Sequence, residues 1–397
     1  MAIDEDVWTS DATYALGTFK LITWTSGTWP LQEGVFASIR FGIAVVLGLG
    51  VLVSLLMEIQ LSCGSTDENL DFFGVMAATI RGLTKLIFTK IHRENLETII
   101  SSALKDWSSI VDGSSAKDIM RKYARRTNLV CRIYIGSGLV IVTTMMLDAL
   151  PVSSSSSSNE TISSEELVKR IPLRTMCVFG NMSTSAYWTV FILQGVQLLN
   201  IFIIDSGNDS FFFGIAMHLC GQFDALAALY DELLEKNGEQ RDWKMKKFVE
   251  RHSYLLDLAR RLQDTFDNIL VVVLMADGLH ICLLGIQIIL LSRDNEMIPM
   301  VKSTLSFLLI LGNLFLYSYT GDYLSTLSQN VQEVVYTCPW YEFPPNIVRN
   351  LMFVMARAHV PFRLTAGRFY TMNMDSFKEI LKASFSYFSV LRIMFEE

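Results

Sequence analysis

The chain has 397 residues, 51% hydrophobic and 18% charged, with a mean hydropathy of +0.35. That balance excludes an ordinary soluble domain of this length and makes a bilayer the natural solvent. The formal net charge is −7, and Lys and Arg gather in loops and at helix ends without forming a stripe, so a nucleic-acid partner is excluded as well.

Residues 1–37 precede the first long apolar window and are read as a cytoplasmic N-terminal segment. Asp4, Glu5 and Asp6 stand where a signal peptide would carry basic residues. About 20 mostly apolar residues are needed to cross the hydrocarbon core, and windows of that kind predict seven spans. These run over Ser38–Met57, Phe72–Phe88, Ile133–Leu150, Ser183–Ile204, Ile269–Leu291, Ser303–Thr320 and Ser376–Phe395. Arg81 and Lys85 interrupt the second, Asp277 lies inside the fifth, and the seventh is the least hydrophobic. Charges within a span call for pairing or water, and a structural ion pair or snorkelling is expected for the two bases.

The segment between spans two and three carries Lys90, Arg93, Lys105, Lys117, Arg121, Lys122, Arg125 and Arg126, whereas the turn between spans one and two has acids and no base. Basic loops face the cytosol, which puts the N-terminus inside and, after seven crossings, the C-terminus outside. The outer segment between spans three and four holds the serine run 153–158 and the sequons at Asn159 and Asn181, on the side where glycans are added. Asn159 is the candidate glycosylation site. A third sequon, at Asn208, falls on the cytoplasmic side and is expected to stay unmodified.

Beyond span four the apolar spacing does not stop. Phe223, Leu226, Leu229, Tyr230 and Leu233 recur at helical intervals, Asn237-Gly238 supplies a turn, and Phe248, His252, Leu255, Leu256, Ala259, Leu262 and Phe266 form a returning stripe. Two such stripes below the membrane predict a packed cytoplasmic helical anchor over 205–268. Of six cysteines only Cys63 and Cys177 fall on the outer side; their pairing is left open, with two unpaired thiols expected. The five histidines show no metal-ligand spacing, and no phosphate loop, nucleophile elbow or HExxH motif occurs, so neither an enzyme nor a cofactor is expected.

The last eighty or so residues contain GDYLSTLSQNVQEVVYTCPWYEFP and then RNLMFVMARAHVPFRLTAGRFYTMNMDSFKEILKASFSYFSVLR. This resembles the C-terminal signature of insect odorant receptors, through Ser328, Tyr336, Trp340, Tyr341, Pro344, Arg349, Arg357, Pro361, Thr365, Ala366, Gly367, Phe369, Phe377, Leu381, Lys382, Ser386, Tyr387 and Leu391. The resemblance implies an all-α membrane protein with seven transmembrane helices. Its parts would be spans one to four over 38–204, the anchor hairpin over 205–268, spans five and six over 269–320, an anchor segment over 321–375 and a pore-lining seventh helix with an outer tail over 376–397. It also implies an odorant-gated cation channel, working with a co-receptor in a heterotetramer in the dendrite membrane of olfactory neurons. The compact segment between spans four and five looks like a tuning subunit rather than the longer co-receptor.

Ser386, Val390 and Met394 lie at i, i+4 and i+8 on the last helix, a stripe of one hydroxyl and two apolar side chains. By spacing alone this suits ordinary helix packing; the resemblance implies the channel gate, an apolar constriction that wets on opening. Glu396 and Glu397 beyond it are either frayed, solvated ends or a means of concentrating cations. A volatile ligand requires an apolar cavity with a few polar groups. The resemblance places it in the outer half, between spans two and six, with Phe72, Phe73, Met76, Met145, Tyr187, Trp188, Phe191, His280 and Leu284 as candidates. A G-protein-coupled receptor would require the opposite topology and lacks its motifs here. A transporter would require internal repeats, and a gustatory receptor a different closing motif.

Overall fold

The computed structural model describes residues 8–61, 66–111, 113–150, 170–173, 175–179, 182–234, 239–293, 297–337 and 339–396. Helices α1 (Ser10–Thr25), α2 (Val35–Leu61), α3 (Thr66–Ile91), α4 (Arg93–Ser109) and α5 (Ser115–Asp148) are followed by one short turn, α6 (Met176–Phe179). Then come three very long helices, α7 (Thr184–Leu234), α8 (Glu239–Arg293) and α9 (Met297–Thr337), the amphipathic α10 (Pro345–Ala358), and α11 (Met374–Glu396). Two-residue strands β1 (Thr365–Ala366) and β2 (Tyr370–Thr371) form a small antiparallel hairpin before α11. Among the described residues six helices, α2, α3, α5, α7, α8 and α9, are long and apolar enough to cross a membrane. The seventh expected span, 376–395, falls within α11.

Helices α7, α8 and α9 run without a break through 204/205, 268/269 and 320/321, where the apolar windows of the sequence end. Continuity is what the apolar stripes demand, since a helix that keeps an apolar face beyond its window has no reason to stop there. Local signals account for the other starts. Thr9 caps α1 by accepting from Ala12 N at 3.2 Å, and Ser114 caps α5 by accepting from Lys117 N at 3.3 Å. The Pro344-Pro345 pair opens α10, where a missing N–H is harmless.

The largest hydrophobic cluster draws on α1, α4, α5, α7, α8, α9 and α10. Phe212 packs on Phe266 and Tyr317 with ring centroids 4.8 and 4.9 Å apart. Helix α1, inside the segment read only as an N-terminal stretch, joins this core through Ala12, Ala15, Leu16 and Phe19. Glycines on α7 let it come close: a Cβ at Gly214 would meet Phe19 at 2.5 Å, and one at Gly207 would meet Ile22 at 2.3 Å.

The hairpin is fastened to α8. Gln263 Nε2 donates to the Thr365 carbonyl at 3.0 Å, and Thr365 N donates to Gln263 Oε1 at 2.8 Å. Asp267 accepts from Thr365 Oγ1 at 3.1 Å and Arg368 N at 3.0 Å. Gly367 and Arg368 both hold positive φ, 64° and 63°, which makes the tight turn. Asn373 Oδ1 then accepts from Ser376 N at 2.8 Å and starts α11. The Thr-Ala-Gly-x-Phe stretch of the sequence signature is thus a clip joining the base of α8 to the last helix.

One expectation is corrected. Cys177 is disulfide-bonded and not an unpaired thiol, and its partner sulfur lies outside the described residues. The surroundings explain why this cysteine is held in place. Its backbone N–H and that of Val178 donate to the buried Glu58 carboxylate, at 3.1 and 3.0 Å. The outer end of α2 therefore grips the start of α6.

Candidate functional site

Between α3, α5, α7, α8 and α9 lies a cavity of about 180 Å³. Its wall is largely aliphatic, with Val75, Ala78, Ile141, Leu198, Ile201 and Leu309 among the lining residues. Two glycines shape it. A Cβ at Gly138 would meet the Phe202 ring at 2.3 Å, and one at Gly74 would meet His280 Nε2 at 2.8 Å, so both aromatic side chains depend on a missing Cβ opposite them. Small residues at helix contacts are how membrane bundles achieve close packing.

Of the nine ligand residues expected from sequence, Met145, His280 and Leu284 line this cavity. Phe72 lines a smaller neighbouring pocket of about 30 Å³ together with Val75 and Met145. Met76 is half-buried against the cluster formed by Val51, Leu55, Phe72, Leu173, Leu198 and Ile201. Tyr187 and Phe191 pack elsewhere, with Ala149 and Ile171 at the outer end of the bundle, where Tyr187 Oη donates to the Arg170 carbonyl at 2.9 Å. Phe73 and Trp188 are 38% and 42% exposed on the outer surface of the bundle. Lining residues that the sequence reading missed include Gly74, Gly138, Phe202, Gln287 and Ser303. Their signal was faint, because a small or amide side chain in an apolar window carries no periodicity of its own.

At one end of the cavity lies a layer of buried charge. Arg81 pairs with Asp205 at 2.8 Å and with Asp277; Lys85 pairs with Asp205 at 2.5 Å and Asp209 at 2.6 Å. Tyr134 Oη donates to Asp209 Oδ2 at 2.9 Å, and Tyr317 Oη donates to Asp209 Oδ1. This layer ties α3, α5, α7, α8 and α9 together through charges that pair within the bundle. The sequence pointed to Arg81, Lys85 and Asp277. Asp205 and Asp209 were hidden because they sit just beyond the window taken as span four. Two bases face three carboxylates, and among the described residues Asp277 Oδ2 has no partner.

The last helix rests on α8 and α9, with Phe377 edge-on to Phe315 at 5.7 Å. Lys382, Ser386 and Ser389, at i, i+4 and i+7, are all exposed on the single chain, so a polar stripe faces away from the subunit's own core. Val390 and Met394 continue the register by sequence; their side chains lie outside the described residues, as does Asn159. Around the hairpin and α10, Tyr336, Tyr341, Met352, Phe353, Val360 and Phe369 are exposed large apolar side chains.

Known proteins agree in sequence and in shape. The family model described as 7tm Odorant receptor matches residues 65–385. Odorant receptor 13a of Drosophila melanogaster is 32% identical over 198 residues, which is 45% of this chain and 46% of that protein. Odorant receptor 47a of the same organism is 26% identical over 223 residues, 54% of this chain and 55% of its own length. The matched stretch thus spans about half the length of these curated relatives. In fold, the chain is similar to the insect olfactory receptor OR5 from Machilis hrabei, solved in complex with eugenol. That likeness has a TM-score of 0.76 at 15% identity and covers 96% of this chain and 100% of that one.

Proposed function

The chain belongs to the 7tm odorant receptor family, and on that premise we propose that it is an odorant-gated, non-selective cation channel subunit that works in a heterotetramer with an odorant co-receptor. It is a multi-pass membrane protein of a receptor family, not of an enzyme family. The observation that carries the proposal is the apolar cavity of about 180 Å³ among α3, α5, α7, α8 and α9. Such a chamber suits a small, mostly apolar volatile, and its far end is closed by paired charges that need no ligand.

In this reading Met145, His280 and Leu284 contact the odorant directly, and Phe72 and Met76 shape the region beside it. Phe73, Tyr187, Trp188 and Phe191, the remaining candidates, would act from the outer rim and the surrounding lipid. Helix α11 lines the shared pore, with Ser386, Val390 and Met394 forming the gate, and its outward polar stripe supports that role. The exposed aromatic and apolar surface of the anchor, formed by parts of 205–268 and 321–375, is where neighbouring subunits would meet. Odorant binding opens the channel to the extent that the cavity prefers the open arrangement. The clip of Gln263, Asp267 and Thr365 gives a rigid connection from α8, which lines the cavity, to α11. Further parts of the proposal are a cytoplasmic N-terminus, an outer C-terminus, a glycan on Asn159, annular membrane lipids and residence in olfactory dendrites.

Whole-cell recording tests this, with the chain expressed with and without a co-receptor and a panel of volatiles applied under G-protein blockade. Currents within milliseconds that require the co-receptor and persist under blockade are expected. Odorant responses that vanish with G-protein blockade, or an N-terminal epitope labelled on intact cells, would overturn it.

A further inference from the structure

The rim where α2 and α3 meet carries two bases that the rest of the chain does not neutralise. Arg40 stands near the start of the apolar window of α2, and Lys90 just past the end of that of α3. Lys90 Nζ lies 5.6 Å from the centre of the Phe41 ring, which follows Arg40 in the chain. Arg40 itself is held by neutral groups. Its Nε donates to the Trp24 carbonyl at 2.9 Å, its Nη2 donates to Gln32 Oε1 at 2.7 Å, and its guanidinium lies 4.2 Å from the centre of the Trp24 ring. Among the described residues neither Arg40 nor Lys90 has a carboxylate within ion-pair distance, and Glu33, the acid next to Gln32, is taken by Arg93 at 2.7 Å.

What surrounds these bases is apolar and uncovered. Val35, Phe36, Ile39 and Ile43 on α2 are between 50% and 78% exposed, and Ile87 and Ile91 on α3 are 42% and 65% exposed. Arg40 falls one helical turn after Phe36 and one before Ile43, and Lys90 one turn after Ile87, so each base shares the exposed face of its helix. Helix α11, where the channel reading puts the other subunits, rests on α8 and α9, whereas α2 rests on α3, α6 and α7. On a membrane helix an exposed apolar face meets acyl chains, and a base at its rim lies at the depth of the lipid phosphates. From these observations we infer that this rim binds the headgroup of an acidic phospholipid. Its phosphate is held by Arg40 and Lys90, and its acyl chains lie along the exposed faces of α2 and α3.

The inference goes beyond the odorant reading and needs only that the chain spans a bilayer, so it is decided by lipid binding and not by current. The full chain, purified in detergent, is titrated with dioleoylphosphatidylserine and with dioleoylphosphatidylcholine, which share chains and phosphate and differ in net charge. Bound lipid is counted by native mass spectrometry, and the rise in Tm is followed in parallel. The wild type should hold phosphatidylserine more tightly than phosphatidylcholine. Lys90→Gln should cut that affinity ratio by about fivefold, the contribution of one base beside an anionic lipid, and Arg40→Gln by about as much. Lys90→Arg, which keeps the charge, should retain it. Arg132, exposed beside the start of the α5 window, is the control, and Arg132→Gln should leave the ratio unmoved. Lys90 donates no hydrogen bond among the described residues, so its replacement spares the fold, and a ratio taken within one variant cancels any difference in stability.

Equal affinity of the wild type for the two lipids, or an unmoved ratio in Lys90→Gln and Arg40→Gln, overturns the inference. An equal fall in Arg132→Gln also overturns it, by reducing the effect to diffuse attraction toward a basic surface. Inorganic phosphate that raises Tm as far as phosphatidylserine does would overturn it too, by assigning the bases to a soluble anion. A chain that passes no current, yet whose lipid ratio falls in Lys90→Gln, removes the channel reading and leaves this one standing. Robust currents with an unmoved ratio do the reverse.

Discussion

Helix α7 is built in two ways along a single axis. In its outer half Trp188, Ile192, Leu193, Val196 and Leu199 are exposed, a stripe fit for lipid, whereas from Ile204 to Phe223 every residue is buried. The outer half cannot gain from hiding apolar surface, because lipid is as apolar as a neighbouring leucine. It is held instead by small-residue contacts such as Gly138 on Phe202 and by the buried charges of Asp205 and Asp209 with Lys85. In the proposed anchor, where water would surround the helices, the hydrophobic effect operates, and a large aromatic core forms around Phe212. One end therefore holds the aliphatic cavity, while the other is built round a large aromatic core.

The comparison can be broken most forcefully in the core. Phe212→Ala should destabilise the detergent-solubilised receptor by about 3–5 kcal/mol, while Ile192→Ala on the lipid stripe should stay within about 0.5 kcal/mol. Both are read from thermal melting followed by size exclusion, and equal losses would erase the distinction drawn here.

The charged layer gives a second, asymmetric test. Asp205→Ala strips a carboxylate from both Arg81 and Lys85 and should cost about 3–5 kcal/mol, the range for breaking a buried pair. Asp277→Asn keeps a polar partner for Arg81 and removes the excess acid, so its cost should be at most about 1 kcal/mol. A larger loss for Asp277→Asn than for Asp205→Ala would refute this account of the layer. Gly214→Ala, which pushes on Phe19, should weaken the docking of α1 by about 1–3 kcal/mol, seen as faster proteolysis near the N-terminus.

The smallest effect is at the surface. Hydrogen bonds from Arg121 and Lys117 hold the Asp11 carboxyl below its ordinary value of 3.8. A depressed carboxylate contributes stability that is present above that value and lost as pH falls through the folded-state value. Asp11→Asn should therefore lower the stability slightly near neutrality, by less than about 1 kcal/mol for this partly exposed group, and remove part of the acid sensitivity below pH 4. A mutant whose acid-melting profile matches the wild type would show that the contact is idle.

Much of the fold was legible in the residues. Six of the expected spans fall on α2, α3, α5, α7, α8 and α9, to within two residues at their ends, because a long apolar window has few other uses. The stripes through Phe223 and Leu226, and from Phe248 to Phe266, foretold helices that continue below the membrane. The site was less legible. Tyr187 and Phe191 have the right depth and chemistry, yet face the outer loop at Ile171, whereas Gly74, Gly138 and Ser303, unremarkable in sequence, face the cavity. Helix α1 was overlooked because four small or apolar residues at helical spacing are a weak signal until glycines on α7 provide a groove for them.

The sequence alone determined where the long apolar windows lie, that their helices continue beyond them, and which family signature closes the chain, since these depend on length, composition and order along one dimension. Only the tertiary structure decided which faces of the apolar helices turn inward, that Asp205 and Asp209 complete the charge of Arg81 and Lys85, and that Cys177 is bonded. The physical reason is that a helix apolar all round carries no mark of its own rotation; that angle is set by the neighbours it packs against.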